Sequence, residues 1–495
     1  MNLSPAAPPS GTVKDWLDAR AKAGGVAIVF PQTEEVLSWS DLRDDARAAA
    51  RGLAALGVAP GESVAIVHPN GRAGVVALYA ALYGGFRATM INLAAGPDAI
   101  AYALDHSKAR YAFVDQAQHD MIAGIAPDRL TLLTPQMLDG QADVPDFDAT
   151  RHALLMYTSG TTGQPKGVVH THASLLAGGW TTAIAHALTP QDRGFCVLPI
   201  YHINGLCVTL MGALVSGGSL AMTARFSASR FWDQADRAKV TWFSVVPTII
   251  SHLLHADANP TAQTVGRMRF GRSASSALAV ETQSAFEDRF GVPIIETMGL
   301  TETAAQILSN PLPPAPRKIG SPGVAFGNEV RILAPDLSDA PPLQEGEIAI
   351  RGPNVMAEYL HNPEATAKTF AGDWLRTGDL GHIDEDGYVF VTGRLKELII
   401  KGGENIAPRE IDEVLYAQPD IIEAAAFARP CTSYGERVEA AVSVKPGSTV
   451  TEAELIAMCQ RRLGPFKSPD VIHFLEELPK GPSGKIQRLK LAALT

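Results

Sequence analysis

A glycine- and hydroxyl-rich segment at residues 156–167 has the composition of a loop that binds phosphate. It reads Met-Tyr-Thr-Ser-Gly-Thr-Thr-Gly-Gln-Pro-Lys-Gly. Glycine lets the backbone turn sharply and approach a ligand. Hydroxyl and backbone N–H groups donate hydrogen bonds to anionic oxygens, and a lysine adds a mobile positive charge. The segment therefore predicts a polyphosphate-binding loop that consists of Thr158, Ser159, Gly160, Thr161, Thr162 and Lys166.

This segment is not a Walker loop, which has glycine before its lysine and serine or threonine after it. Here Pro165 precedes Lys166, and Gly167 follows it. A Gly/Ser/Thr linker between two strands would have a similar composition. The choice between a phosphate loop and a linker therefore depends on motifs further along the chain.

A second group of candidates lies at residues 296–303, which read Glu-Thr-Met-Gly-Leu-Thr-Glu-Thr. A threonine and a glutamate after a glycine turn can hold Mg²⁺ beside phosphates, because this ion prefers hard oxygen ligands. Thr301 and Glu302 are the residues in question. Taken alone, Glu302 would be an ordinary loop carboxylate.

Three more motifs lie toward the C-terminus. Arg-Thr-Gly-Asp at 376–379 places Asp379 on a turn, where a carboxylate could accept hydrogen bonds from both hydroxyls of a ribose. Residues 393–406 read Gly-Arg-Leu-Lys-Glu-Leu-Ile-Ile-Lys-Gly-Gly-Glu-Asn-Ile. Residues 480–488 read Lys-Gly-Pro-Ser-Gly-Lys-Ile-Gln-Arg and present Lys485 on a loop. Taken alone, the first is a turn signal and the last a solvated basic tail.

The overall composition narrows the class of protein. The chain has 495 residues, of which 46% are hydrophobic and 19% charged, with a net charge of −10 and no basic block. This size suggests about three domain-sized units, and the charge argues against a nucleic-acid partner. No signal peptide or membrane span is expected, and four scattered cysteines without a Cys-x-x-Cys pair predict reduced thiols in a cytoplasmic protein. Disulfide or metal-ligand use of these cysteines is the less favoured alternative.

Strand and helix signals alternate over most of the chain, which is typical of α/β layers with largely parallel sheets. Ligands of such sheets gather at loops beyond the carboxyl ends of the strands. The phosphate-loop candidate follows the apolar run 153–157 and fits that rule. We expect strands near 63–68, 88–93, 109–115, 194–200, 219–223, 240–246 and 293–297, and helices near 71–83 and 98–106.

The last hundred residues have a different pattern, which predicts a compact α+β unit with its own core. Strand signals lie at 397–401, 423–429 and 439–444. Pro408 is expected to begin a helix that extends to about residue 417, as proline does at a first helical position. Thr451 has capping-box spacing to Glu454, and Gly464 is expected to end the helix that they begin.

In this order and over this length, the motifs resemble the acyl-adenylate-forming superfamily, which includes acyl-CoA synthetases, peptide-synthetase adenylation domains and luciferases. The resemblance covers nearly the whole chain. It implies a large, multi-layer α/β N-terminal domain with parallel and mixed sheets at residues 1–395, which binds the acid and ATP. It also implies a small mobile α+β lid domain at residues 396–495, with the hinge at Lys396.

The resemblance assigns roles to individual residues. The loop from Thr158 to Lys166 matches the segment that holds the β- and γ-phosphates, and Glu302 matches the Mg²⁺ ligand. Lys485 matches the lysine that reaches both the carboxylate and the phosphate during adenylation. The remaining matches are Thr301 with the α-phosphate contact, Asp379 and Arg394 with the ribose contacts, Ser275, Ser276 and Glu296 with the surroundings of adenine, Gly402 and Gly403 with the backbone of the pantetheine tunnel, and His202 with the aromatic gate between tunnel and acid pocket.

These roles imply an acid–CoA ligase that uses ATP, Mg²⁺ and coenzyme A. The carboxylate attacks the α-phosphorus to give an acyl-AMP and pyrophosphate, and the thiol of coenzyme A then gives the acyl-CoA and AMP. Lys485, Thr301, Glu302 and His202 form the predicted catalytic group. Members of the superfamily often have an aromatic residue where this chain has Met298, so stacking on adenine is expected to be weaker here.

The middle of the chain is most similar to oxalate–CoA ligases, which points to a small carboxylic or dicarboxylic acid. Arg272 could bind a second anionic group, or it could be a structural arginine. That branch tends to have histidines where this chain has Asn204 and Ala305. These replacements argue against oxalate itself and for another small acid, for which an uncharged far end is one option. The predicted pocket comprises Tyr201, His202, Asn204, Arg272, Gly299, Ala305 and Gln306. His152, His170 and His172 are expected to be structural or solvent-facing.

Three alternatives remain open at this point. The chain could load a free-standing acyl carrier protein instead of coenzyme A, or it could be an oxidative, luciferase-like member. It could also be a nucleotide-binding regulator that has lost catalysis. The presence of Lys166, Glu302, Asp379, Arg394 and Lys485 together argues against the regulator. The sequence does not distinguish a monomer from a homodimer.

Overall fold

The computed structural model of the chain describes residues 1, 3–135, 138, 140, 142–158, 165–481 and 485–495. Its strands form four sheets, and the helices pack on their faces. The helices are α1 (Val13–Ala23), α2 (Trp39–Ala55), α3 (Arg72–Tyr83), α4 (Pro97–His106), α5 (His119–Ile125), α6 (His172–Ala185), α7 (Gly212–Ser216), α8 (Phe231–Arg237), α9 (Pro247–His255), α10 (Ala262–Arg267), α11 (Val280–Phe290), α12 (Pro363–Thr369), α13 (Pro408–Tyr416), α14 (Glu452–Lys467) and α15 (Arg488–Leu494).

The largest sheet has a parallel centre and antiparallel edges. Its order is β15 (Val324–Ala325), β14 (Ala305–Ser309), β13 (Ile294–Leu300), β12 (Phe270–Ser273), β11 (Trp242–Val245), β9 (Arg193–Cys196), β10 (Ser219–Met222), β1 (Val26–Phe30) and β2 (Glu35–Ser38). Pairing is parallel from β13 to β1 and antiparallel outside that range.

A second sheet also combines parallel strands with antiparallel strands at its edge. Its order is β18 (Glu358–Tyr359), β8 (Lys166–Thr171), β7 (His152–Thr158), β4 (Arg87–Met90), β3 (Ser63–Val67), β5 (Tyr111–Val114) and β6 (Thr131–Leu133). The strands from β7 to β6 are parallel, whereas β8 and β18 are antiparallel additions at one edge. Near-continuous apolar runs such as Ser-Val-Ala-Ile-Val in β3 are buried throughout, as expected of parallel strands covered on both faces.

The main hydrophobic core lies between these two sheets and includes α3. This helix is buried from Gly74 to Tyr83 because it is apolar on all sides. A neighbouring segment, Asn204–Met211, is a π-helix and is also buried. π-Helical turns are rare and are frequent at functional sites. The sequence indicates burial of this region but not its unusual hydrogen-bond pattern.

Two smaller sheets complete the fold. The first is antiparallel, with β16 (Glu329–Leu333), β17 (Gly346–Arg351), β20 (Trp374–Ile383) and β19 (Phe370–Ala371) in order and β21 (Val389–Arg394) beside β20. The second lies in the C-terminal hundred residues, with β23 (Glu404–Ile406), β22 (Ile399–Lys401), β25 (Gly435–Val444) and β24 (Ile421–Cys431) in order and β26 (Val471–Phe474) parallel to β25.

The C-terminal sheet has its own apolar core, which includes residues of α13 and α14. The predicted strands and the helix that begins at Pro408 are confirmed. The expectation that Gly464 ends the next helix is also confirmed. Gly464 has a left-handed φ of 79° that breaks α14, and the residues from there to Lys467 form a separate short helical turn.

The predicted α/β fold class is confirmed. Within the described residues, every helix is too short or too polar to cross a lipid bilayer. The four cysteines are unpaired, and three of them are buried. The boundary at Lys396 falls in the turn between β21 and β22, where the chain passes from one sheet to the next.

Candidate active site

The two ends of the phosphate-loop candidate lie opposite each other in a hairpin. β7 ends at Thr158 and β8 begins at Lys166, and these residues pair across the antiparallel ladder. The ammonium of Lys166 lies 4.6 Å from the centre of the Tyr359 ring, within the range of a cation–π contact. The other predicted members, Ser159, Gly160, Thr161 and Thr162, lie outside the described residues.

Thr301 and Glu302 lie in a single 3₁₀ turn that follows β13. The buried Nε2 of His170 donates to the carbonyl oxygen of Thr301 over 2.7 Å. Burial lowers the pKa of His170 to about 4, so the ring is neutral at physiological pH. The backbone N–H of Met356 donates to the Glu302 carbonyl over 2.8 Å. The turn is therefore held at both residues, and His170 is structural.

The side chain of Glu302 has a separate partner. The hydroxyl of Tyr359 donates to Oε1 of Glu302 over 2.8 Å. A carboxylate has about four lone-pair sites on its two oxygens, so one hydrogen bond leaves capacity to bind a cation. The predicted metal ligand is thus oriented by a residue that the sequence reasoning missed.

Asp379 and Arg394 form the ion pair at the other end of the site. They are opposite each other across β20 and β21, and Nε of Arg394 contacts Oδ1 of Asp379. The negative charge of Asp379 is the main cause that raises the pKa of Arg394. Asp379 is buried, and it lines a cleft together with Arg394 and Lys485.

Lys485 comes to this cleft from the C-terminal part of the chain. Its Nζ lies 3.8 Å from Oε1 of Glu397. Burial and then the charge of Arg394 lower the pKa of Lys485, and the charges of Glu397 and Asp379 oppose that effect. The structure therefore brings the predicted adenylation lysine to the predicted ribose contacts.

The predicted surroundings of adenine line the same cleft. Ser275 and Ser276 follow β12, and Glu296 lies in β13 with Met298 two residues further. The Oε1 of Glu296 accepts from the N–H of Leu278 over 3.1 Å, whereas Oε2 is buried without a partner among the described residues. Burial raises the pKa of Glu296 to about 7. This carboxyl group is thus free to meet a polar ligand.

The predicted acid pocket contains a buried chain of neutral polar groups around Arg272. Nη1 of Arg272 donates to Asn204 Oδ1 over 2.9 Å and to Ser244 Oγ over 3.1 Å. Its Nε donates to Gln306 Oε1 over 3.1 Å, and the neutral ring of His186 donates to the same oxygen over 3.1 Å. Asn204 in turn donates to Ser275, which lines the cleft, over 3.3 Å.

Arg272 is the most unusual of these groups because it is a buried charge whose described hydrogen-bond partners are neutral. It is 1% exposed, and burial lowers its pKa to about 9, so it stays protonated at neutral pH. Within the part of the chain that the structure describes, no carboxylate pairs with it. Buried charges are normally paired, because removing them from water is costly.

The backbone near this pocket is strained. Ser275, Ala304 and Ala305 have left-handed φ angles of 76°, 45° and 80°, which residues with a Cβ adopt only at a cost. Such residues cluster at active sites and ligand clamps. Gly299 pairs with Gln306 beside them, and a Cβ at Gly299 would lie 1.7 Å from the Ala305 carbonyl oxygen. Only glycine fits at that position.

Other predicted residues lie apart from the cleft in this structure. Tyr201 and His202 form an edge-on ring pair with centroids 5.0 Å apart, just before the π-helix. Gly402 and Gly403 are exposed in the turn between β22 and β23, and both have left-handed φ angles. Lys396 is exposed in the turn between β21 and β22. Of the histidines near the phosphate loop, His172 is buried and His152 is half-buried.

Three contacts at the site were not found by sequence reasoning. Tyr359 joins Glu302 to Lys166, Glu397 accompanies Lys485, and Arg409 of α13 donates to the carbonyls of Gly320 and Val391. Glu397 stands beside Lys396 in a motif that the sequence did indicate. Tyr359 carries no local signal, since its partners lie far away along the chain.

Comparison with known families and proteins gives a consistent result. The profile described as AMP-binding enzyme matches residues 16–360, and the profile described as AMP-binding enzyme C-terminal domain matches residues 410–485. A sulfoacetate–CoA ligase of Cupriavidus necator is 45% identical over 479 residues, which cover 94% of both chains. An oxalate–CoA ligase of Arabidopsis thaliana is 36% identical over 463 residues, which cover 89% of this chain and 90% of the relative.

Solved structures agree with the fold. MatB of Rhodopseudomonas palustris with bound ATP has a TM-score of 0.89 and 30% identity, over 98% of this chain and 99% of the other. The o-succinylbenzoate–CoA synthetase MenE of Bacillus subtilis, in complex with ATP and a magnesium ion, has a TM-score of 0.84 and 29% identity, over 96% and 98% of the two chains. The similarity therefore extends over nearly the full length of each protein.

Proposed function

The chain belongs to the AMP-binding enzyme family and is an AMP-forming acid–CoA ligase, and we propose that its acid is short and carries a second anionic group. This proposal rests on the environment of Arg272. Among the described residues its hydrogen-bond partners are all neutral, so the charge of the protonated guanidinium is uncompensated until an anion reaches it. A carboxylate or sulfonate at the far end of the substrate would supply the missing charge.

The path from the cleft to Arg272 is short. Ser275 lines the cleft, Asn204 contacts Ser275, and Arg272 contacts Asn204. This arrangement favours an acid of few atoms, with one end at the nucleotide and the other at Arg272. The names of two relatives support this class, because sulfoacetate and oxalate both carry two anionic groups.

The first reaction joins two anions, and this chain supplies the positive charge that lets them approach. The carboxylate oxygen attacks the α-phosphorus, the bond to pyrophosphate breaks, and an acyl-AMP results. We assign Lys485 to neutralise the charge that develops on the reacting oxygens, and Lys166 to hold the departing phosphates. Asp379 is assigned to accept hydrogen bonds from the ribose hydroxyls, and its ion pair with Arg394 holds it in place.

The residues present also suit a magnesium ion at the phosphate end. Glu302 offers carboxylate oxygens and Thr301 a hydroxyl, which are the hard ligands that Mg²⁺ prefers, and Tyr359 holds the carboxylate in place. When bound, Mg²⁺ would neutralise phosphate charge as a Lewis acid. The chain's own contribution is to fix the backbone of this turn through His170 and Met356.

The second reaction needs a different arrangement of the small C-terminal unit. The thiol of coenzyme A attacks the acyl carbon, AMP leaves, and the thiol proton passes to solvent. We propose that residues 396–495 rotate about Lys396 and so bring Gly402 and Gly403, which are exposed in this structure, to the pantetheine.

Matched pairs of acids test the proposed substrate class. Malonate and malonamate, or sulfoacetate and methylsulfonylacetate, have similar shapes but differ in charge at the far end. The wild-type protein should prefer the charged member by about 10- to 100-fold in kcat/KM, the range expected for charged hydrogen bonds. Arg272→Met should abolish that preference while it retains activity with the uncharged member.

Arg193→Met is the matched control. The described partners of the Arg193 side chain are likewise neutral, namely Ser219 and the carbonyl of Ala238, but Arg193 lies on β9 away from the cleft. Its loss should leave the preference between paired acids unchanged. If the wild-type protein preferred the uncharged acids, the proposed substrate class would be wrong while the ligase activity would stand.

A further inference from the structure

Tyr359 lies where three distant parts of the chain meet at the phosphate end of the site. It belongs to β18, the short edge strand, and pairs with Val168 of β8. The segment that leads into β18 also holds the turn after β13, since Met356 donates to the Glu302 carbonyl. β18 therefore connects the strand that begins at Lys166 to the turn that carries Glu302.

The side chain of Tyr359 contacts a charged residue at each end. Its hydroxyl donates to Glu302 Oε1 over 2.8 Å, and the ammonium of Lys166 lies 4.6 Å from its ring centre. The residue is only 5% exposed and packs against Val168, Met356 and Leu375. Because this packing fixes the ring, the two charged groups are held at a set separation.

The environment keeps the hydroxyl in its donor form. A carboxylate can only accept hydrogen bonds, so the Tyr359 hydroxyl is the donor to Glu302. A phenol that stays protonated orients a carboxylate without adding charge to it. An aromatic face in turn restrains a lysine while leaving its N–H groups able to donate.

We propose that Tyr359 is a positioning residue for ATP, in which the hydroxyl orients Glu302 toward the cation that accompanies the nucleotide and the ring holds Lys166 ready for the phosphates. This inference rests on the proposed function, because it assumes that ATP binds between these residues. It assigns two separable effects to one side chain. The hydroxyl should govern the dependence on Mg²⁺, and the ring should govern affinity for the phosphates themselves.

Two substitutions separate these effects in a binding experiment without an acid or coenzyme A. Calorimetric titration gives the affinity for ATP at a series of Mg²⁺ concentrations. Tyr359→Phe should raise the Mg²⁺ concentration that gives half of the maximal gain in ATP affinity by about 10-fold, as the loss of an outer-sphere partner does at metal sites. Its affinity for ATP without Mg²⁺ should not change.

Tyr359→Leu removes the ring as well as the hydroxyl. It should show the same dependence on Mg²⁺ as the Phe variant and should also bind ATP about 3- to 10-fold more weakly without Mg²⁺. A purely structural role would instead weaken binding equally at every Mg²⁺ concentration. The two variants therefore distinguish positioning from general damage.

Tyr388→Phe is a closely matched control. The Tyr388 hydroxyl donates to the Pro316 carbonyl over 2.7 Å, and Lys318 lies 4.8 Å from its ring centre, so its environment resembles that of Tyr359. It contacts neither Glu302 nor Lys166. Its loss should leave ATP binding at every Mg²⁺ concentration unchanged.

A double-mutant cycle gives the sharpest test. In a Glu302→Gln background, Tyr359→Phe should no longer alter the Mg²⁺ dependence, because the group that it orients is gone. An effect of equal size in both backgrounds would overturn the inference. So would an unchanged Mg²⁺ dependence in the single Phe variant.

A crystal structure of the wild-type protein with Mg²⁺ and ATP keeps the inference testable if the variants do not fold. The Tyr359 hydroxyl should remain within hydrogen-bond distance of Glu302, and a separation beyond about 4 Å would contradict the inference. If the wild-type protein did not bind ATP with Mg²⁺ at all, the proposed function would fail instead. The two failures are thus distinguishable.

Discussion

At the scale of single residues, the site contains charged and polar side chains whose interactions with the described part of the protein are incomplete. Lys485 is half-buried near Arg394, and its nearest described acidic partner, Glu397, is 3.8 Å away. Arg272 has neutral partners, and Glu296 has one buried oxygen without a partner among the described residues. Each of these groups would gain an interaction when a ligand of the right charge or polarity binds, and this is how a preorganised site differs from a structural ion pair.

Removal of Lys485 tests the charge that it supplies. Lys485→Ala should reduce acid-dependent pyrophosphate exchange by about 10²- to 10³-fold, the usual effect of losing one well-placed donor. ATP binding should be weakened much less, because Asp379, Arg394 and Lys166 remain. Measurement of exchange beside calorimetric ATP affinity checks both parts. Equal losses in exchange and affinity would contradict a role in the reaction itself.

The pH dependence of the same reaction tests the protonation state of Lys485. Burial and Arg394 lower its pKa, so its charge is lost at a lower pH than that of a free lysine. The rate of adenylation should therefore be constant at neutral pH and fall as pH rises through this lowered pKa. Lys485→Arg should be slower but should lack this alkaline decline, because arginine stays charged. An identical decline in both proteins would assign it to another group.

Some of these residues could be identified from the sequence, and the reason differs from residue to residue. Asp379 and Arg394 stand in short motifs of a known kind, and the structure pairs them directly. Tyr359 could not be found, because its contact with Glu302 joins residues 57 positions apart. No local pattern of spacing encodes such a contact, which depends on how β18 docks on β8.

At the scale of elements, the turn between β21 and β22 connects the two parts of the site. Asp379 and Arg394 lie before it, and Lys485 lies after it on the C-terminal unit. Arg409 of α13 also reaches across, with hydrogen bonds to the carbonyls of Gly320 and Val391. The arrangement seen here therefore suits adenylation, and we propose that it must open before coenzyme A reacts.

A proline at the turn tests this hinge. Lys396→Pro fixes one φ angle and removes a backbone N–H, which should restrict rotation without touching the cleft. Adenylation should stay within about 3-fold of wild type, whereas transfer to coenzyme A should fall by about 10-fold or more. Single-turnover measurements of acyl-AMP formation and of its discharge separate the two steps.

A second proline serves as the control for that experiment. Glu385 occupies the second position of the tight turn between β20 and β21, where proline is well tolerated. Glu385→Pro should leave both steps unchanged. Similar losses in the two steps for Lys396→Pro would contradict the hinge assignment.

Element prediction succeeded where local chemistry was decisive. The apolar run of β3 and the capping box at Thr451 gave the correct type of element, and Pro408 begins α13 as predicted. The π-helix at Asn204–Met211 could not be predicted, because its sequence has the same apolar character as an α-helix. Its form depends on packing against α6 and β14.

At the scale of the whole molecule, we propose that both half-reactions use one nucleotide site. The cleft collects residues from the parallel sheet, the antiparallel sheet and the C-terminal unit, so no single one of them contains the site. This distribution is consistent with a family similarity that extends over nearly the full chain. The position of Lys485 in the cleft also argues against a regulator that only binds nucleotide, because nucleotide binding alone would not require a lysine from the C-terminal unit.

The most direct test of this account is the exchange of labelled pyrophosphate into ATP by the purified protein, measured with a panel of short acids. The account predicts exchange that depends on an acid, is strongest with acids that have two anionic groups, and gives way to AMP and a thioester when coenzyme A is added. If no acid in the panel supported exchange, the proposed acyl-AMP chemistry would be wrong. If exchange occurred but only an acyl carrier protein released AMP, the ligase assignment would be wrong.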